Sequence, residues 1–209
     1  VSTTEAVIFD CDGTLVDSET LSAEVFSELL AGLGHAAEPG EILLAFRGRQ
    51  LATCIAELRA RFGTIPADFE AAFRARTFEV YRERLREIAG AAELLGALVH
   101  PVCVASNAPR AKIELCLEAT GLARFFGGRI YSAYEVGAWK PDPGLFLHAA
   151  AAMGAAPARC LVVEDSEAGV VAARAAGMRV VALLHDDAAG WLPTDVPAIR
   201  ALADLRGLL

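Results

Sequence analysis

The chain has 209 residues, of which 55% are hydrophobic, and a net charge of −8. That is enough apolar material for a packed core and excludes a disordered polymer. The acidic balance also excludes a nucleic-acid footprint, since the arginines between Arg74 and Arg86 alternate with Glu79, Glu83 and Glu87 and read as a solvated helix face.

The first residues, through Glu5, carry neither a basic start nor the long apolar segment of a signal peptide, and no apolar run is long enough to cross a bilayer. A cytoplasmic monomer without a membrane partner is the expectation. Residues 6–9 read as a strand buried on both faces, broken by Gly13. Three amphipathic helices follow: Ser18–Leu33, capped by Asp17 or Ser18 and stopped at Gly34; Leu51–Phe62, stopped at Gly63; and Asp68–Leu85, starting after Pro66 with Asp68 as cap. No strand interrupts them, so residues 17–87 read as a helical unit inserted between 1–16 and 88–209.

Beyond Gly90 short strands and helices alternate. Val102–Ala105 leads to a helix over Ala111–Thr120, Ile130–Tyr131 to one over Pro143–Met153, and Cys160–Val163 to one over Ser166–Ala176, while Val180–Leu183 closes the series. Such alternation implies βαβ crossovers: an α/β fold with a doubly wound parallel sheet and an inserted helical cap domain. Five cysteines, odd in number and without Cys-x-x-Cys spacing, read as small buried hydrophobes. Cys11 among them belongs to the core, its side chain pointing away from those of Asp10 and Asp12.

In an open α/β sheet the ligand crevice lies outside the carboxyl ends of the strands. Asp10 and Asp12, Ser106, Lys140, and Glu164 with Asp165 all follow predicted strands. These residues suit one reaction. A phosphate monoester can be cleaved in two displacements by a carboxylate nucleophile, with a second carboxyl protonating the leaving oxygen and fixed donors holding the other phosphate oxygens. Asp10 and Asp12, two residues apart, supply the carboxyls, and Asp12 is expected to have a raised pKa when substrate is bound. Ser106 and the N–H groups of Asn107 and Ala108 can donate to phosphate. Lys140 adds a mobile positive charge able to pair with Asp10. The carboxylates of Asp10, Asp165 and Glu164 suit Mg²⁺.

Taken singly, each segment has a plainer explanation as a helix cap, a surface lysine before a turn or a calcium loop. An EF-hand is excluded, because its glycine and glutamate positions hold Leu15 and Leu21. The four segments together, in this order at strand ends, point to an enzyme.

Residues 7–19, 104–109, 139–146 and 162–178 resemble the four motifs of the haloacid dehalogenase-like hydrolase superfamily, and the inserted helices resemble its small cap. The resemblance implies Asp10 as nucleophile and Asp12 as general acid/base. It implies Ser106 and Lys140 as phosphate ligands, with Asp10, the Asp12 carbonyl and Asp165 holding Mg²⁺ and Glu164 standing behind them. A dehalogenase would need neither Mg²⁺ nor Asp12. A β-phosphoglucomutase-like enzyme, the alternative reading, should carry a cap histidine where this chain has Ser22. Within the superfamily the chain looks most like the branch acting on sugar and sugar-acid phosphates, 6-phosphogluconate included. Arg47, Gly48 and Arg49 are then candidates to bind the leaving group, unless they are exposed charges at a helix start; Arg76 is a weaker one.

Glu19 and Glu93 read as caps or surface charges, and His35, His100, His148 and His185 as structural or exposed. The expected partner is a small phosphate ester. A different class, a phospho-accepting signalling module, also combines aspartates with a lysine and Mg²⁺, but lacks a second carboxyl beside the phosphorylated one. The cap is expected to swing about residues 16–18 and 86–90.

Overall fold

The computed structural model describes residues 4–47, 49–185 and 190–208. Six strands build one sheet: β1 (Ala6–Phe9), β2 (Val102–Ser106), β3 (Ile130–Ser132), β4 (Cys160–Glu164), β5 (Arg179–Leu183) and β6 (Ala198–Ile199). They lie in the order β3-β2-β1-β4-β5-β6 and every pairing is parallel. Parallel strands covered on both faces need apolar side chains at every position, and β1, β2 and β4 are buried throughout. Alternate side chains then feed two cores. Val7, Phe9, Val104 and Val163 face one layer, whereas Ile8, Cys103, Ala105 and Val162 face the other.

Among the described residues, the inserted stretch after β1 folds into α1 (Ser18–Gly32), α2 (Pro39–Phe46), α3 (Leu51–Phe62) and α4 (Phe69–Arg84). The chain then forms α5 (Ala91–Ala97), α6 (Arg110–Ala119), α7 (Ala123–Phe126), α8 (Ala133–Val136), α9 (Gly144–Ala152) and α10 (Glu167–Ala175). Phe26 of α1 stacks on Phe73 of α4 with ring centroids 4.1 Å apart and meets Phe46 of α2 edge-on, so the inserted helices share an aromatic centre. The two passages between this unit and the sheet run side by side. Asp17 N–H donates to the Arg86 carbonyl at 3.0 Å and Ile88 N–H to the Leu15 carbonyl at 2.8 Å.

The doubly wound parallel sheet agrees with the sequence pattern, but α2, α5, α7, α8 and β6 were not legible in it. Helix α2 begins at Pro39–Gly40, residues that punctuate chains as loops; proline is nevertheless well placed in a first turn, where its missing N–H has no partner to lose. Strand β6 has two residues, too short for any periodicity, and is defined by its neighbour: Ala182 and Leu184 donate to the carbonyls of Pro197 and Ile199 at 2.9 Å each. The series therefore does not end at β5. Neither Asp17 nor Asp68 caps a helix with its side chain, and Ser18, the other expected cap, points its hydroxyl elsewhere. Cys11, Cys54, Cys103, Cys116 and Cys160 are all buried and unpaired as disulfides. No described helix is long and apolar enough to cross a membrane.

Candidate active site

The strand order reverses at β1, flanked by β2 on one side and β4 on the other. A crevice forms at such a switch point because successive connections leave in opposite directions. Asp10 follows β1, Ser106 ends β2, and Glu164 ends β4 with Asp165 just beyond. A cavity of ≈ 360 Å³ opens there and reaches up between the inserted helices.

Lys140 occupies the floor. Its ammonium donates to Asp10 Oδ1 and Glu164 Oε1, both at 2.5 Å, and its side chain is 3% exposed. The expected mobile charge is therefore a fixed one. Asn107 explains part of that: its side-chain amide donates to the Lys140 carbonyl at 3.2 Å while its Oδ1 accepts from Lys140 N–H at 2.9 Å. The Asn107 side chain is thus committed to the lysine loop, leaving its backbone N–H as the group available to an anion. Ser106 is buried and its hydroxyl accepts from Ala108 N–H at 3.1 Å, so that N–H is engaged within the turn.

Glu164 is saturated. Its second oxygen accepts from the N–H groups of Asp165 and Ser166, each at 3.1 Å, and from the Ser166 hydroxyl at 2.8 Å. It packs directly over Gly169, where a Cβ would fall 1.9 Å from its carboxyl carbon. Such a residue holds the lysine and has little capacity left for anything else. Asp165 accepts from Thr14 at 3.1 Å, and lies against Gly13, whose φ of +78° and lack of a side chain bring the first loop under the carboxylate.

Oxygens of Asp10, Glu164 and Asp165 lie within 4.8 Å of one another. Burial pushes the Asp10 pKa up to about 7 despite the opposing Lys140 charge, with Glu164 and Asp12 adding to the rise. Burial, Glu164, Glu19 and Asp10 likewise hold Asp165 well above the usual carboxylate range. Burial would lower Lys140, but Asp10 and Glu164 keep it charged and above its ordinary value. One ammonium against three crowded carboxylates leaves negative charge that a divalent cation with oxygen preference would neutralise, so the donor set fits Mg²⁺.

A folded-state carboxyl titrating above its unfolded value binds more protons when folded, so stability falls as pH rises through that interval. Chelated protein should therefore melt at a lower temperature at about pH 8 than at about pH 5, and Mg²⁺ should raise the melting temperature more at the higher pH. Thermal scans in EDTA and in Mg²⁺ at both pH values check this; a pH-independent effect of Mg²⁺ would remove the acidic cluster from consideration as its site.

Asp12 is in a different condition. Burial would raise its pKa, but Lys112 and the Ser18 hydroxyl outweigh burial and lower it. The raised value expected with substrate is thus not the resting state of this carboxyl.

Arg47 and Arg49 line the cavity, each already paired: Arg47 with Glu19 at 3.0 Å and Arg49 with Glu57 at 2.8 Å. Glu19 therefore belongs to the cavity wall and not to the surface. Gly48 lies outside the described residues. Arg76 pairs with Glu28 and Glu79 on the outer face. Its neighbour Arg74 is the one that reaches the cavity, held by Glu70 at 2.8 Å, so the solvated-face reading of that stretch fails at this position.

His185, expected to be structural or exposed, braces the first loop: its Nε2 lies 2.6 Å from the Gly13 carbonyl and 3.9 Å from Asp165. It stands two residues beyond β5, the strand next to β4 in the sheet. Lys112, two residues into α6, carried no strand-end signal.

A sequence model of haloacid dehalogenase-like hydrolases matches residues 4–177. The chain is 36% identical over 182 residues to 6-phosphogluconate phosphatase of Escherichia coli (strain K12), covering 86% of this chain and 82% of that protein. Hexitol phosphatase A of the same organism is 31% identical over 188 residues, covering 84% and 81%. A hydrolase of this family from Deinococcus radiodurans R1, crystallised with phosphate and sodium, superposes with a TM-score of 0.84 at 33% identity, covering 100% of this chain and 96% of the other. The strand-end chemistry, the doubly wound sheet and these likenesses together establish that the chain belongs to the haloacid dehalogenase-like hydrolases.

Proposed function

We propose that the protein is a Mg²⁺-dependent phosphatase of small phosphate monoesters, acting through an aspartyl-phosphate on Asp10. The observation that carries this reading is the Lys140 ammonium bridging Asp10 and Glu164 at the switch point, with Asp12 and Asp165 beside them. Asp10 attacks phosphorus; the bond to the leaving oxygen breaks as Asp12 gives that oxygen a proton. Asp12 then takes a proton from water, whose oxygen attacks the phosphorus and frees Asp10. Ser106, the Asn107 N–H and Lys140 hold the phosphate oxygens. Asp10, Asp165 and the Asp12 carbonyl would hold Mg²⁺, which would supply neutralisation of the phosphate charge.

Residues 17–87 act as the cap in this reading, covering the leaving group and moving about the paired passages at 16–18 and 86–90. A cavity of ≈ 360 Å³ with Arg47, Arg49 and Arg74 in its wall suits a sugar phosphate with a second acidic group, such as the 6-phosphogluconate for which one relative is named. The mutase alternative is disfavoured by Ser22: its hydroxyl lies 2.7 Å from the Tyr81 hydroxyl, and no histidine lines the cavity among the described residues.

A panel of phosphate esters assayed for phosphate release with Mg²⁺ and with EDTA tests the proposal. Release in Mg²⁺ alone, with 6-phosphogluconate preferred over neutral sugar phosphates, is expected. Conversion of β-glucose 1-phosphate to glucose 6-phosphate would make it a mutase, and no release from any ester would leave a silent binding protein.

A further inference from the structure

One of the side chains that hold the Asp12 carboxyl comes from none of the four motif segments. Lys112 Nζ lies 2.8 Å from Asp12 Oδ1, and the Ser18 hydroxyl donates to the same oxygen. Two donors on one oxygen fix the plane and direction of a carboxyl, so its other oxygen cannot wander. Lys112 is itself held: its ammonium stands 5.8 Å from the centre of the Tyr81 ring. Tyr81 is fully buried and donates to the Ser18 carbonyl at 3.0 Å. Helices α1, α4 and α6 thus meet around this one carboxylate, each through a side chain whose place is set by the others.

We propose that Lys112 is the positioning residue of the general acid/base, holding Asp12 through Oδ1 so that Oδ2 faces the leaving oxygen. The inference rests on the phosphatase reading and adds to it a residue that touches neither phosphate nor leaving group. Proton transfer demands hydrogen-bond reach, and a carboxyl released from its anchor spends much of its time outside it. Methionine at this position keeps most of the apolar stem of lysine and removes only the ammonium.

The test compares kcat/KM, which reports the phosphorylation step, for two esters. A sugar phosphate leaves as a poor alkoxide and needs the proton; p-nitrophenyl phosphate leaves unaided. Lys112→Met is expected to lose roughly 100-fold on the sugar phosphate and at least about tenfold less than that on p-nitrophenyl phosphate. Lys112→Arg, which keeps the cation, should recover most of the difference. Equal losses on both esters would make Lys112 a structural residue and overturn the assignment, as would no loss on either. Wild-type protein releasing phosphate from neither ester would sink the phosphatase reading and this inference together, a result distinct from the other two.

Discussion

Asp10→Asn is expected to lower kcat for phosphate release by at least about four orders of magnitude while leaving the protein folded and no less stable. The amide has the size of the carboxyl but cannot attack phosphorus. Stability should not fall, because the carboxyl it replaces is buried beside Glu164 and Asp12 with its pKa pushed up to about 7. Above that pH the native state carries the cost of keeping it ionised, a cost the neutral amide lacks. Steady-state release and thermal unfolding at about pH 8 measure both halves. Acid-quenched wild-type enzyme should also retain a hydroxylamine-labile phosphoryl group that the variant does not. Turnover within tenfold of wild type would mean that the phosphoryl group is never carried on this side chain.

Lys140→Met should damage both stability and rate. The lysine is the cation that faces Asp10 and Glu164, both buried, and Asn107 fixes its backbone from the neighbouring loop. Removing one partner of a buried ionic cluster leaves the other charges uncompensated, which costs about 3–5 kcal/mol. The loss should be largest at about pH 8 and smaller at about pH 5, where the carboxyls can take up protons in place of the ammonium. Catalysis should fall by about 10³-fold, since a fixed positive charge beside the transferring phosphoryl is lost. Unfolding curves at both pH values, with and without Mg²⁺, separate the effects. An unchanged melting temperature at the higher pH would show that the lysine does not hold the carboxylates together.

Much of this architecture was legible because its determinants are local. A strand buried on both faces has to be apolar at every position, as Ala6–Phe9 and Cys160–Val163 are, and a helix packed on one side must repeat with its own period. Helix α3 matches its expected bounds, Leu51–Phe62, because Gly63 ends it with a φ of +79° that other residues rarely adopt. The strand-end rule likewise converts sequence order into spatial convergence, which is why Asp10, Ser106, Lys140 and Asp165 could be gathered into one site before any coordinates.

What escaped depends on which partner each side chain turns to in the folded chain. Ser18 reads as a helix cap, yet its hydroxyl is drawn to Asp12; Glu19 reads as a first-turn charge, yet Arg47 turns it into the cavity wall. Asn107 reads as an anion ligand through its backbone N–H, but nothing in the sequence shows that its side-chain amide is taken by the Lys140 backbone 33 positions away.

Sequence by itself determined the doubly wound core, the family and the grouping of carboxylates with a lysine, because periodicity and strand ends are properties of short segments. Only the tertiary structure decided that Lys140 is immobile, that Arg74 and not Arg76 reaches the cavity, and that Lys112 grips Asp12. Those outcomes turn on the direction of single side chains across helices and strands distant in the chain, and direction is set by packing.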